Sequence, residues 1–129
     1  MRDAPQFNSF FMGGFECSTH LLPSGRRLDM LAATGHDRHF RRDFGRMRAM
    51  NITTARTGIR WHLIEKSPGD YDWSSVLPML HAARDAGIQL LWDVCHYGYP
   101  DDLDIFSPEF VTRFRRLSKA FARMLNNEM

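Results

Sequence analysis

The stretch Gln89-Leu90-Leu91-Trp92-Asp93-Val94-Cys95-His96-Tyr97-Gly98-Tyr99-Pro100 carries the densest concentration of groups able to do chemistry. It opens as an apolar run of strand length and closes on polar and aromatic side chains just before a glycine and a proline. That pattern predicts a buried parallel strand delivering side chains at its C-terminal end, where ligands bind in parallel α/β architectures because the following loops open on one side of the sheet. His96, Tyr97 and Pro100 are therefore the first candidates. An imidazole at such a place can hydrogen-bond a ligand, or it can be a core histidine satisfied by a neighbouring backbone group. Arg56 is the second unusual residue, a guanidinium inside the β-branched run 52–61. On a strand it points either outward to solvent beside a helix or inward to an anionic partner, since an unpaired buried charge is very costly. Position alone leaves both open.

Other chemistries find less support. His36 and His39 are spaced as metal ligands at i and i+3, yet no second pair lies at compatible spacing, so they read as solvated histidines near a helix start. Cys17 and Cys95 are too few for a disulfide framework and read as reduced core thiols. The basic run Arg38-His39-Phe40-Arg41-Arg42 is interrupted by Asp37 and Asp43, and with a net charge of +2 it reads as a solvated helix face rather than a nucleic-acid patch. No G-x-G-x-x-G or P-loop pattern occurs. No cofactor and no metal are expected. With 129 residues, 43% apolar and 25% charged, the profile is that of an ordinary soluble globular protein. No apolar run approaches the roughly 18 residues of a membrane span, and Met1-Arg2-Asp3-Ala4-Pro5 lacks the apolar core of a signal peptide, so no membrane partner and a cytoplasmic location are expected.

The elements that must position these groups follow from periodicity. Phe10 to Cys17 is the first strand candidate, its paired glycines Gly13 and Gly14 permitting close backbone approach. A long loop with one helical turn around Leu28 to Ala33 follows. From His36 to Met50, Phe40, Phe44 and Met47 recur at helical spacing. The run 52–61 is the second strand. Residues 65–74 are turn-rich, with Asp72 or Ser74 able to cap a helix that carries Val76, Leu77, Leu80 and Ala83 and stops at Gly87. After the third strand, Ser107-Pro108-Glu109 is a helix start, and Phe110, Phe114, Leu117, Phe121 and Met124 form its buried stripe. The order β, α, β, α, β, α specifies a parallel sheet with right-handed crossovers. Three strands cannot close a barrel, which needs about eight, so the fold class expected is α/β, the first three βα units of an incomplete (β/α)8 TIM barrel, with residues 1–129 as the N-terminal part of one such domain.

These strand ends resemble glycoside hydrolase family 1, the β-glucosidase-like retaining enzymes, and more loosely the wider clan of barrel glycosidases, over roughly residues 10 to 125. The family's first strand reads approximately F-x-W-G-x-A-T-x-x-x-Q; Phe10-Phe11-Met12-Gly13 is similar to its start and puts His20 where the family has a sugar-binding Gln. The family's R-F-S-I-S-W resembles Arg56-Thr57-Gly58-Ile59-Arg60-Trp61 at its first, fourth and sixth positions, and its H-W-D-L-P resembles His96-Tyr97-Gly98-Tyr99-Pro100 at His96 and Pro100. Tyr97 replaces Trp and His20 replaces Gln, which marks a divergent relative.

The resemblance implies a β-glycoside as substrate. Arg56 would support the nucleophile of the seventh strand, lowering its pKa, which turns the guanidinium inward. His96 would bond a sugar hydroxyl, with Tyr97 and Trp61 as aromatic wall. Glu16 would bind a sugar hydroxyl or form a structural pair with Arg56 or Arg60, the pair being preferred. Retaining glycosidases need two carboxylates about 5–5.5 Å apart. The family's acid/base lies in an Asn-Glu pair after a fourth strand, and Asn127-Glu128 lacks that strand, so neither catalytic carboxylate is expected within residues 1–129. Two alternatives remain: a small non-enzymatic α/β binding or scaffold module, and the start of a metal-dependent hydrolase, against which the first strand lacks an H-x-H pair.

Overall fold

The computed structural model describes residues 5–129. Met1–Ala4, most of the segment read as lacking a signal-like apolar core, lie outside the described residues. The chain runs β1 (Gly13–Gly14), α1 (Met30–Ala33), α2 (His36–Ala49), β2 (Thr54–Gly58), α3 (Trp61–Ile64), β3 (Glu65–Ser67), β4 (Asp70–Tyr71), α4 (Leu77–Asp85), β5 (Gln89–Asp93) and α5 (Pro108–Glu128). β1, β2 and β5 form a parallel sheet in that order, with Gly14 opposite Arg56 and Arg56 opposite Leu91. β3 and β4 form a separate antiparallel hairpin that turns at Gly69, where φ is +88°.

Strand alternation gives the sheet two unlike faces. Ala55 packs with Phe44 and Met47 of α2 and with Met79, Ala82 and Ala83 of α4, and a Cβ on Gly13 would also meet Met47. The next residue along each strand turns the other way. A Cβ on Gly14 would meet nothing within 4 Å, and Arg56 is 57% exposed. The helices therefore cover one face of the sheet, and Gly14, Arg56, Leu91 and Asp93 belong to the open one.

The helices form for the reasons their sequences indicate. α2 carries Asp37 in its first turn and Arg46 and Arg48 in its last, the charge order a helix dipole favours, and it stops just before Asn51, which adopts φ +58°. α5 starts with Pro108 and Glu109 and buries Leu117, Phe121 and Met124 against Ile59, Trp61, Ile64 and Val76. Its Ser107 makes no side-chain cap; the hydroxyl donates instead to the Asp104 carbonyl. Neither Asp72 nor Ser74 caps α4, whose N-cap position is Val76; the Asp72 carboxylate accepts from the Ser74 amide.

Two strands are shorter than the sequence suggests. Phe10, Phe11 and Met12 are 92%, 73% and 44% exposed, and that part of the chain is held by side chains, the Ser9 amide donating to Thr54 Oγ1 and the Thr53 amide to Ser9 Oγ. The second strand leaves the sheet at Gly58, and Trp61 begins a helical turn. This corrects the expectation for Trp61. It is fully buried, donates from Nε1 to Glu65 Oε2 at 2.5 Å and packs against Phe110 and Phe114 at 5.6 and 5.8 Å between ring centroids, so it offers no wall to a ligand.

Glu65 is itself buried, and its other oxygen lies 3.4 Å from Nε of Arg113, which is 2% exposed. The two outer nitrogens of Arg113 grip Asp102 at 3.0 and 3.3 Å. α3, β3 and α5 are thus joined through one buried cation. Truncating one partner of such a pair strands the other in a low-dielectric interior. Arg113→Ala should lower the urea-unfolding free energy by about 3 kcal/mol, and Arg113→Met by less because it refills the volume.

Candidate functional site

The open face is polar at the C-terminal ends of its strands. Asp93, the last residue of β5, lies opposite Gly58 of β2, and a Cβ at Gly58 would come within 2.6 Å of Cys17 Sγ. The missing side chain at Gly58 lets the chain beyond β1 close over β2 and reach β5. As a result Asp93 Oδ2 accepts from Arg56 Nη2 at 2.6 Å and from Cys17 Sγ at 3.4 Å, and lies 3.6 Å from His96 Nδ1. The same His96 nitrogen is 3.2 Å from Cys17 Sγ and 3.6 Å from Glu16 Oε1. Five residues from three strand ends converge on one carboxylate and one imidazole nitrogen.

Each group is tuned by these neighbours. The hydrogen bond to Asp93 raises the Arg56 guanidinium further above its already high pKa, so it is a fixed cation. Burial first, and then the hydrogen bond to Asp93, push the Cys17 thiol up to about 12. Hydrogen bonding from Ser18 holds the Glu16 carboxyl below its ordinary value. The Cys17, His96 and Asp93 trio resembles a nucleophilic triad in composition but not in arrangement. The thiol is 1% exposed and held protonated, and Asp93 sits on the same ring nitrogen as the thiol instead of bracing the far side of the imidazole. What the arrangement can do is hold an anion beside Arg56 and exchange hydrogen bonds with a neutral polar ligand through His96 and Glu16.

Two further expected residues lie beside this cluster. Tyr97, at φ +59° and 70% exposed, packs on the His96 ring at 5.3 Å and meets His20 edge to face at 6.4 Å. With Leu21, Tyr99, Ile105 and Phe110 they line a hollow of about 520 Å³. The structure therefore brings Arg56 and His96 together on Asp93, sets Tyr97 against His96 with His20 on the edge of Tyr97, and leaves Trp61 in the core. Glu16 does not take the arginine partners expected for it: Arg56 is taken by Asp93, and Arg60 pairs with Asp29 and Asp37 at 3.1 and 3.2 Å. Asp93 and Cys17 were not singled out by sequence as site residues. Glu128 lies in the last turn of α5, its carboxylate 2.7 Å from His81 Nε2.

The loop carrying His96 is held from below. The Thr19 amide donates to the His96 carbonyl at 3.2 Å, and a Cβ on Gly98 would collide with Thr19 side chain and backbone alike. Arg27 donates to the carbonyls of Thr19 and Tyr99 at 2.5 and 3.0 Å and pairs with Asp101. His62 lies near this network; burial and the nearby Arg27 push it down to about 4.

The chain is thus a parallel α/β sheet that gathers titratable side chains at the C-terminal ends of its strands. No family model matches the sequence, and no curated protein does. Among solved structures, the fold is similar to part of the exo-β-1,4-mannosidase Op5Man5 from Opitutaceae bacterium strain TAV5, with a TM-score of 0.60 and 20% identity over 85% of this chain. The chain spans 21% of the length of that protein, so the likeness is one of fold with a fragment of a glycoside hydrolase.

Two outcomes follow from this geometry. Gly98→Ala should destabilise by about 2 kcal/mol through overpacking against Thr19, read by urea unfolding. Because His62 and His36 are both depressed in the fold, the unfolded chain takes up their protons first. Their stabilisation is complete above the unfolded value of 6.5 and is lost as pH falls toward the folded value, about 4 for His62. The Tm should therefore fall between about pH 7 and pH 5, and less so in His62→Gln.

Proposed function

We propose that residues 1–129 are the N-terminal part of a single (β/α)8 barrel domain, its first three βα units, in a retaining β-glycoside hydrolase of β-glucosidase-like type. The observation that carries this reading is the meeting of Arg56 and His96 on Asp93, on the open face at the strand ends, in a fold shared with part of an exo-β-1,4-mannosidase. In a closed barrel that open face becomes the interior mouth, the place where substrate lies. The edge of β5 also fits. Beside it Leu80, Leu90, Trp92, Ala122 and Leu125 leave an apolar hollow of about 460 Å³, where a following strand and helix would pack.

On this reading Arg56 keeps an adjacent carboxylate nucleophile ionised, with Asp93 as its resting partner. His96 bonds a hydroxyl of the sugar next to the scissile bond, and Tyr97 and His20 form the wall beyond it. The two catalytic carboxylates belong to strands outside residues 1–129. Among the described residues, no helix is long and apolar enough to cross a membrane.

Residues 1–129 alone should give no turnover of aryl β-glycosides. In a polypeptide carrying the whole barrel, Arg56→Ala should lower kcat/KM for the same substrates by about 100-fold, the scale of losing one preorganised electrostatic group. Turnover by the short chain, or full activity of the Arg56 variant, would overturn the assignment.

A further inference from the structure

Most polar clusters in the fold are already satisfied from within. Arg113 is matched by Glu65 and Asp102, Arg60 by Asp29 and Asp37, and His81 by Glu128. The group formed by Cys17, Asp93 and His96 differs in that its three ligand-capable atoms face one another. Sγ to Nδ1 is 3.2 Å, Sγ to Oδ2 is 3.4 Å and Nδ1 to Oδ2 is 3.6 Å. A tetrahedral zinc ion with bonds of about 2.3 Å to sulfur and 2.0–2.2 Å to nitrogen and oxygen needs ligand separations of about 3.4–3.6 Å. Two of the three separations match that spacing and the Sγ to Nδ1 distance of 3.2 Å is slightly short of it, so the three donors already lie close to the corners of one face of such a tetrahedron. A fourth donor is at hand, since Glu16 Oε1 lies 3.6 Å from the same His96 nitrogen and Glu16 is half exposed.

We infer that Cys17, Asp93 and His96, completed by Glu16, form a binding site for a thiophilic divalent cation of the zinc type. This inference rests on the side-chain geometry alone and is independent of the glycosidase reading. The donor set selects the metal: one thiolate, one imidazole and carboxylates suit Zn2+ or Co2+, whereas Mg2+ and Ca2+ require all-oxygen shells. Binding converts the thiol to thiolate, with its proton released to solvent, and uses the Nδ1 lone pair of His96, leaving the ring proton on Nε2. The thiolate and the carboxylates of Asp93 and Glu16 balance the dication and the Arg56 cation together. Arg56 must yield Oδ2 or share the carboxylate, which its exposure allows. A metal held this way would fasten the chain after β1 to the end of β5 across β2 and, on the glycosidase reading, would withdraw His96 from the sugar.

Cobalt titration of the full chain tests this, because a thiolate bound to Co2+ gives a charge-transfer band and intense tetrahedral d–d bands. The chain has two cysteines, so the band in Cys95→Ser reports Cys17 alone. Cys95 stands apart, its Sγ directed at the Gly98 carbonyl. The expected result is a saturable one-to-one band in the wild type and in Cys95→Ser. It should be displaced by Zn2+ but not by Mg2+ or Ca2+, weakened at least several-fold in His96→Gln, and tightened several-fold in Arg56→Gln as the competing cation is removed. Absence of the band in Cys95→Ser, or its persistence unchanged in Cys17→Ser or in His96→Gln, would overturn the site.

Discussion

The carboxylate of Asp93 is the point on which the open face of this sheet depends. It is the last residue of β5, and its Oδ2 takes the Arg56 guanidinium, the Cys17 thiol and the neighbourhood of the His96 imidazole at once. A charge placed there without a cation would be costly to hold against a sheet surface, and Arg56 on the adjacent strand supplies it two residues earlier along the pleat. The pair is not a stability device, because Arg56 is more than half exposed and an exposed ion pair contributes little. What it fixes is orientation. It sets a cation and an imidazole side by side on a face that the helices leave bare.

The rest of the fold supports that placement from the other side. Alternation sends Ala55, Leu90 and Trp92 toward α2, α4 and α5, so the residues between them must turn to the open face. Glycines make the approach possible: Gly58 leaves room for Cys17, and Gly98 lets the loop after β5 sit on Thr19. The buried Arg113 joins the hairpin to α5, and Arg27 ties the two loops that flank the site. A sheet with helices on one face and chemistry on the other is the arrangement found in each sector of a parallel barrel.

Much of this was legible in the sequence, and the parts that were not share a cause. The helices at 36–49 and 108–128 declare themselves by spacing, and the strand at 89–93 by its apolar run, because these patterns are local. Arg56 stands out as a charge inside a strand and His96 as a polar residue just past the end of one. Trp61 did not end a strand, because Glu65 four residues later offers its indole a buried partner and Phe110 and Phe114 offer it a surface. The meeting of Cys17 with Asp93 spans 76 residues of chain and depends on the register of β2 between two others, which no periodicity encodes. The collapse of the first strand to Gly13–Gly14 has the same origin: the phenylalanines before it have strand propensity but no neighbour to pair with.

The account turns on whether the ends of β1 and β5 meet on the open face around Asp93. Proton NMR of the full chain at neutral pH reads this directly, through a nuclear Overhauser contact between the His96 ring proton beside Nδ1 and the Cys17 β-protons. The structure predicts that contact to be strong and to weaken in Asp93→Ala, where the shared acceptor is gone. A His96 ring with no contact to Cys17, or one contacting only helix-facing residues such as Trp92, would contradict it.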